Sequence, residues 1–159
     1  MEALRQLQQK AQSLTPQKVR SDFFNFIRGL EAYIAEFNKE QLNKESKDVF
    51  GNPLGFYSKA TEYISYNNSL LGRGNKIKYE GDPYDLEDTG DFLKSISASV
   101  ESFNLVFEAS DPKTDKVLKN LLTKDILGLS DKDLNQVINE KFIPYMKGYY
   151  LEKILSSKG

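Results

Sequence analysis

Leu4, Leu7, Ala11 and Leu14 recur at three- and four-residue spacing, which lays an apolar stripe along a helix predicted over about 1–14. Thr15-Pro16 ends it and starts another, since Thr suits a cap and Pro the first turn. Val19, Phe23, Phe26, Ile27, Leu30, Ile34 and Phe37 share one face of a single helix predicted over about 16–42. Gly29 inside it costs about 1 kcal/mol relative to Ala and marks an expected close crossing by another segment. Gly51, Pro53 and Gly55 punctuate a loop over 43–57. Ser58 opens a third helix, to about Leu71, with Ala60, Ile64 and Leu71 as its apolar positions. Residues 72–91 read as mostly irregular.

The period then changes. Ile96, Ala98 and Val100 alternate with Ser95, Ser97 and Ser99, and Phe103, Leu105, Phe107 and Ala109 alternate again. The pattern predicts a β-hairpin within about 92–109, turning near 101–104. Two strands alone are marginal, so helices must cover their apolar face. Residues 113–124 return to helix with Val117, Leu118, Leu121 and Leu122, and 126–129 form an apolar loop. Ser130-x-x-Asp133 resembles a capping box. It opens a helix through Leu134, Val137, Ile138, Phe142, Met146, Tyr149 and Tyr150 to about 157, which Pro144 should kink or break. The expected class is α+β, predominantly helical with a small antiparallel sheet packed by helices. The expected organisation is one domain over 1–159: helices in 1–42, a loop and helix in 43–91, the hairpin in 92–109 and helices in 113–157.

Composition narrows the chemistry. The 159 residues, 39% of them hydrophobic, suffice for one domain with a core. Cys and His are both absent, which removes disulfides, zinc fingers, iron–sulfur clusters, His-ligated haem, the Ser-His-Asp triad and the Cys nucleophile. Catalysis here would rest on carboxylates, Lys, Tyr, Ser or Arg. The 22 basic and 23 acidic residues leave a net charge of −1 and no global polycation for nucleic acid. No apolar run reaches the length of a membrane span, and the N-terminus lacks the pattern of a secretory signal. The expectation is therefore no membrane partner, and a protein of the cytoplasm or of something assembled there.

Charge is uneven. Residues 1–79 hold 12 basic and 8 acidic residues; residues 80–159 hold 10 and 15. The sharpest cluster is Glu80, Asp82, Asp85, Glu87, Asp88 and Asp91, with no basic residue among them. No window of it supplies the ligand spacing of a calcium-binding EF-hand loop. Asp88-Thr89-Gly90 spells the triplet of aspartic proteases, but that chemistry needs two buried carboxylates sharing a proton, and Asp85-Leu86-Glu87 is not the apolar strand that buries such a dyad. A solvated acidic loop or acidic interface is the plainer reading. Gly72-Arg73-Gly74-Asn75-Lys76 lacks the pattern of a phosphate loop and reads as a connector. Phe23, Phe26 and Phe37 sit at core spacing. Tyr145, Tyr149 and Tyr150 put aromatic surface on more than one face of the last helix, which marks an interface candidate.

Three short stretches carry a resemblance. Leu86-x-Asp88-Thr89-Gly90-x-Phe92-x-x-Ser95 resembles the L-x-D-T-G-x-L/F-x-x-S signature of head–tail joining and tail-completion proteins of tailed bacteriophages, often described as minor tail or virion morphogenesis proteins. Gly51-Asn52-Pro53-Leu54-Gly55-x-Tyr57-Ser58-x-x-Thr61 resembles the stretch preceding it in such proteins, and Asp125-Ile126-Leu127-Gly128-Leu129-Ser130 resembles their D-I-x-G-L-T segment. The resemblance covers about residues 50–135. It implies a small α+β virion subunit, without cofactor or catalysis, that forms a homo-oligomeric ring at the neck or upper tail. Its partners would be portal, adaptor or tail proteins of the same virion, with at most transient contact with packaged DNA. Physically, Gly90 suits a turn that Asp88 or Thr89 stabilises by bonding to its backbone, launching the 92–100 segment, with Phe92 as anchor in the core and Ser95 following. In a ring, the acidic residues of 80–91 would line the channel and repel DNA. A different class accounts for the same composition: a non-catalytic helical adaptor or assembly factor that binds another protein.

Overall fold

The alternation of Ile96, Ala98 and Val100 with serines and Glu101 produces strand β1, Ile96–Glu101, whose apolar side chains are buried and whose intervening ones are wholly or partly exposed. It pairs antiparallel with β2, Asn104–Ala109, in a register that sets Ile96 opposite Ala109 and Glu101 opposite Asn104. The two-residue connection, Ser102-Phe103, has positive φ at both positions (46° and 65°), the backbone of a type I′ turn that matches the twist of the strands. The computed structural model describes residues 2–73, 76–87 and 90–155. Among these the sheet has two strands, and helices form most of the rest, so the architecture is α+β and predominantly helical.

Helix α1, Glu2–Ser13, buries none of its residues and lies against the turn at Leu151–Leu155. Thr15 caps α2, Pro16–Arg28, by accepting the Lys18 amide at 3.2 Å, with Pro16 in the first turn. The expected single helix over 16–42 is divided. At Gly29 and Leu30 the amides bond to Phe26 and Ile27 three residues back, and α3, Glu31–Glu40, restarts after them. The close approach at Gly29 is to its own Phe26 carbonyl, 3.3 Å from where a Cβ would stand, and not to a crossing segment. The division lets both helices meet the hairpin: Ile27 of α2 and Ile34 and Ala35 of α3 form one core with Ala98, Val100 and Val137. A π-helical turn, Gln41–Glu45, closes α3.

A second core gathers Leu42, Leu54, Phe92, Ile96 and Ile126. Beside the two cores lie buried polar groups. Asn38 donates to the Ile126 carbonyl at 2.7 Å, and Gln41 joins the Lys47 carbonyl to the Ser130 amide. Asp48 is almost fully buried, and its carboxylate takes the Phe50 and Asn52 amides, the Asn52 side chain and the Thr123 hydroxyl. Burial works to raise its pKa, and these four donors outweigh burial and lower it.

Helix α4 spans Lys59–Leu70, α5 is the single turn Asp91–Ser95, and α6, Thr114–Asn120, is shorter than the predicted 113–124. The hairpin therefore starts at 96, and 92–95, expected within the hairpin, belong to the helical turn. Ser130 caps α7, Asp131–Val137, taking the Asp133 amide and donating to its carboxylate at 2.7 Å. The reciprocal arm of a capping box goes elsewhere, since the Ser130 amide bonds to Gln41 and not to the short Asp133. Pro144 does not end the helix. The ladder widens to a π-helical turn at Ile138–Phe142, where the Ile143 amide reaches back to Ile138, and α8, Ile143–Tyr150, continues with Pro144 in its first turn. The π turn falls where the proline ring would meet the carbonyl four residues back.

Candidate functional site

Ser58 caps α4 by accepting the Thr61 amide. At 100° per residue Thr61, Glu62, Ser65 and Asn68 fall on one arc of this helix, and Tyr63, Tyr66 and Leu70, with Ala60, Ile64 and Leu71 beside them, fill the other. The polar arc faces the body of the chain. Ser65 Oγ accepts the Lys78 amide at 2.9 Å, and Glu62 Oε2 accepts the Glu80 amide at 2.7 Å. The apolar arc faces solvent: Tyr63 is 72% exposed, Leu70 68% and Ile64 59%, and the helix buries none of its residues. Ala60, Ile64 and Leu71, read from the sequence as the apolar positions of this helix, are all exposed, Ile64 at the edge of the cleft described below. Periodicity defines the apolar face, but the bonds to 78–80 decide which way it turns.

Beneath α4 lies a cluster of ionised side chains. Lys78 is buried, and its ammonium donates to both oxygens of Asp85 at 2.7 Å and to the Glu87 carbonyl at 2.8 Å. Tyr57 donates to Asp85 Oδ1 at 2.7 Å, the Glu87 amide adds a bond at 2.9 Å, and Lys76 reaches Oδ2 at 3.2 Å. Burial acts to raise the Asp85 pKa; the bonds from Lys78, Tyr57 and the Glu87 amide overcome it and bring it down to about 2. Burial and the bond to Asp85 push the Tyr57 hydroxyl well above the usual tyrosine range. All three ammonium protons of Lys78 are used, which makes this a structural clasp between the 76–78 and 85–87 segments. The sequence shows Tyr57 only as part of the stretch before Ser58 and Lys78 only as one of three basic residues, with Arg73 and Lys76, that could meet an acidic partner or DNA; nothing in it pairs either with Asp85.

The turn motif is placed in part. Gly90 has φ of +77°, the left-handed backbone expected of it, and precedes α5. Phe92 is buried in the second core and Ser95 Oγ donates to the Phe92 carbonyl at 2.8 Å. Asp88 and Thr89, like Gly74 and Asn75 of the connector, lie outside the described residues. Instead of launching a strand directly, Gly90 launches one helical turn, and the strand follows Ser95.

The six acidic residues do not form one front. Asp85 is turned inward onto lysines, which removes it from any channel-facing row. Glu80, Asp82, Glu87 and Asp91 are exposed, and Asp88 is outside the described residues. Among the described residues no three acidic side chains are gathered as they would be around a metal ion. The tyrosines divide as well. Tyr145 stacks on Phe26 at 3.9 Å and donates to the Asp22 carbonyl, while Tyr149 is buried and donates to the Asp22 carboxylate at 2.7 Å. Burial and this bond raise the Tyr149 pKa to about 12. Both tie α8 to α2 within the chain, and Tyr150 alone of the three is largely exposed, at 44%. No helix among the described residues is long and apolar enough to cross a membrane.

Between α4, residues 76–87 and α6 is a cleft of about 660 Å³, with Leu86, Val117 and Leu121 among its apolar lining and Arg73 and Lys76 among its charged lining. Comparison with family models, with curated proteins and with solved structures returns no match.

Proposed function

We propose that this chain is a non-catalytic structural subunit that works by assembly, and that the assembly is the head–tail connector or tail-completion ring of a tailed bacteriophage. One observation carries the assembly reading: α4 holds its polar arc against its own chain and turns Tyr63, Tyr66 and Leu70 to solvent. Burying such a face against another protein is favourable in proportion to the apolar area removed from water. Tyrosine is among the residues enriched where proteins meet. The ring and the virion rest on the resemblance of residues 50–135 to the tail-completion signatures.

Electron cryomicroscopy of purified virions from the source tests the reading. A closed ring of this chain at the neck, with α4 against a neighbour, is the expected result. Complete particles that lack the chain would overturn the virion assignment and leave the adaptor or assembly-factor reading. Particles in which α4 stays solvated would remove the observation on which the assembly reading rests.

A further inference from the structure

The cleft between α4 and α6 has two chemistries within one volume. Leu86, Val117 and Leu121 provide a wide apolar lining, and Ile64 extends it along α4. Arg73 and Lys76 line the same space, with the amide side chains of Asn68 and Asn120. Lys78 has no proton to spare, and Asp85 is shared between Lys78 and Lys76, so one carboxylate answers two ammonium groups. Glu87 adds a single negative group, so among the described lining residues the balance stays positive. The Lys76 side chain is 61% exposed, which leaves its ammonium within reach of a ligand.

We propose that this cleft binds an acidic peptide segment of a partner protein. An apolar side chain of the segment fills the space over Leu86, Val117 and Leu121, and a neighbouring carboxylate pairs with Arg73 and Lys76. The volume lies in the range of ligand sites, and its division into apolar and cationic parts matches a segment that alternates the two. A nucleic-acid backbone fits less well: it offers phosphates but no aliphatic group for the lining, and two cations are a small footprint for it. The inference rests on the assembly reading only for the source of the peptide.

Fluorescence anisotropy with the full chain tests it. The probes are two labelled short peptides, one alternating Leu and Phe with Glu, the other identical but with Lys for Glu. The Glu peptide is expected to bind and the Lys peptide not to. The double variant Arg73→Ala/Lys76→Ala, altered at two exposed side chains, should bind the Glu peptide about tenfold more weakly, as the loss of a charge-assisted bond implies. Arg73→Glu should shift preference toward the Lys peptide. Amide shifts should concentrate at 86, 117 and 121. Equal binding of the two peptides, or an unchanged affinity in the double variant, would overturn the proposal. Displacement by octanoate at the concentration that saturates the site would overturn the peptide assignment in favour of a small organic acid. These results leave the density at the virion neck as a separate question, so failure here and failure of the assembly reading are told apart.

Discussion

The Lys78 ammonium spans both oxygens of Asp85, each at 2.7 Å, in a site where the two side chains are 10% and 14% exposed. Breaking one side of such a pair strands the other charge, whereas replacing both removes the desolvation cost together with the attraction. Lys78→Met and Asp85→Leu should each destabilise by about 3 kcal/mol. The double variant should recover most of that loss, and a double-mutant cycle by urea unfolding measures the coupling. Simple addition of the two losses would show that the groups act independently.

Acid should loosen the same clasp. The folded Asp85 pKa of about 2 lies below the ordinary value of 3.8. Its contribution is therefore fully present above about pH 4 and lost as pH falls toward 2. Allowing for partial solvent screening, that contribution is about 1–2 kcal/mol. Asp48 and Asp22 are lowered as well and act in the same direction. Unfolding free energies measured from pH 5 to pH 2 should fall less steeply in Asp85→Asn than in the native chain.

The hairpin turn stores strain. Phe103 is bulky, yet has φ of +65°, and its ring packs on Phe24 at 5.4 Å and under the Arg20 guanidinium at 4.4 Å. Phe103→Gly loses these contacts and relieves the backbone; Phe103→Ala loses them and keeps the strain. The Gly variant should be the more stable by about 1 kcal/mol, the reverse of the usual order in regular structure. Thermal unfolding of the two variants decides it.

Gly55 has φ of +140°, and a Cβ there would stand 2.4 Å from Cε2 of Tyr84, whose ring meets Tyr57 edge-on at 4.8 Å. Gly55→Ala should cost about 2 kcal/mol or more, since both backbone and ring must shift. A near-native melting temperature would show that the Tyr84 ring moves freely.

The outward face of α4 should be silent in the isolated chain. Tyr63→Ser/Leu70→Ser is expected to change unfolding free energy by no more than about 0.5 kcal/mol, because neither side chain is packed. Under the proposed assembly, the same variant should fail to enter particles. A large loss of stability would mean that the face packs within the chain.

Where a residue type has one local job, the chain is legible. Thr15, Ser58 and Ser130 are readable as caps and serve as caps, because each bond is made to an amide three residues ahead. The hairpin is readable because alternation needs no partner beyond its own strands. The break at Gly29 is not, since residues 16–42 keep one apolar face across it and the interruption serves a sheet far along the chain. The direction of α4 is hidden for a similar reason: its inner contacts are hydrogen bonds to Lys78 and Glu80, which leave no hydrophobic trace. Asp85 is visible as one acid among six, but its distinction comes from Tyr57 and Lys78, and a loop gives no spacing by which to match them.

The π turn at Ile138–Phe142 sets the phase of everything after it. Such a turn is a helix that has absorbed one additional residue, so it rotates the following face by about 100° relative to an uninterrupted helix. Tyr145 and Tyr149 meet Phe26 and Asp22 only in that phase. Closing the ladder at 138–142 as an ordinary α-helix without removing a residue would turn both tyrosines about 100° away from α2, whereas removing one residue there would let it close and leave them in their present phase. The aromatic seam between α2 and α8 thus depends on the width of a backbone ladder, in a segment whose Phe142 itself meets Phe23 of α2 edge-on at 5.2 Å.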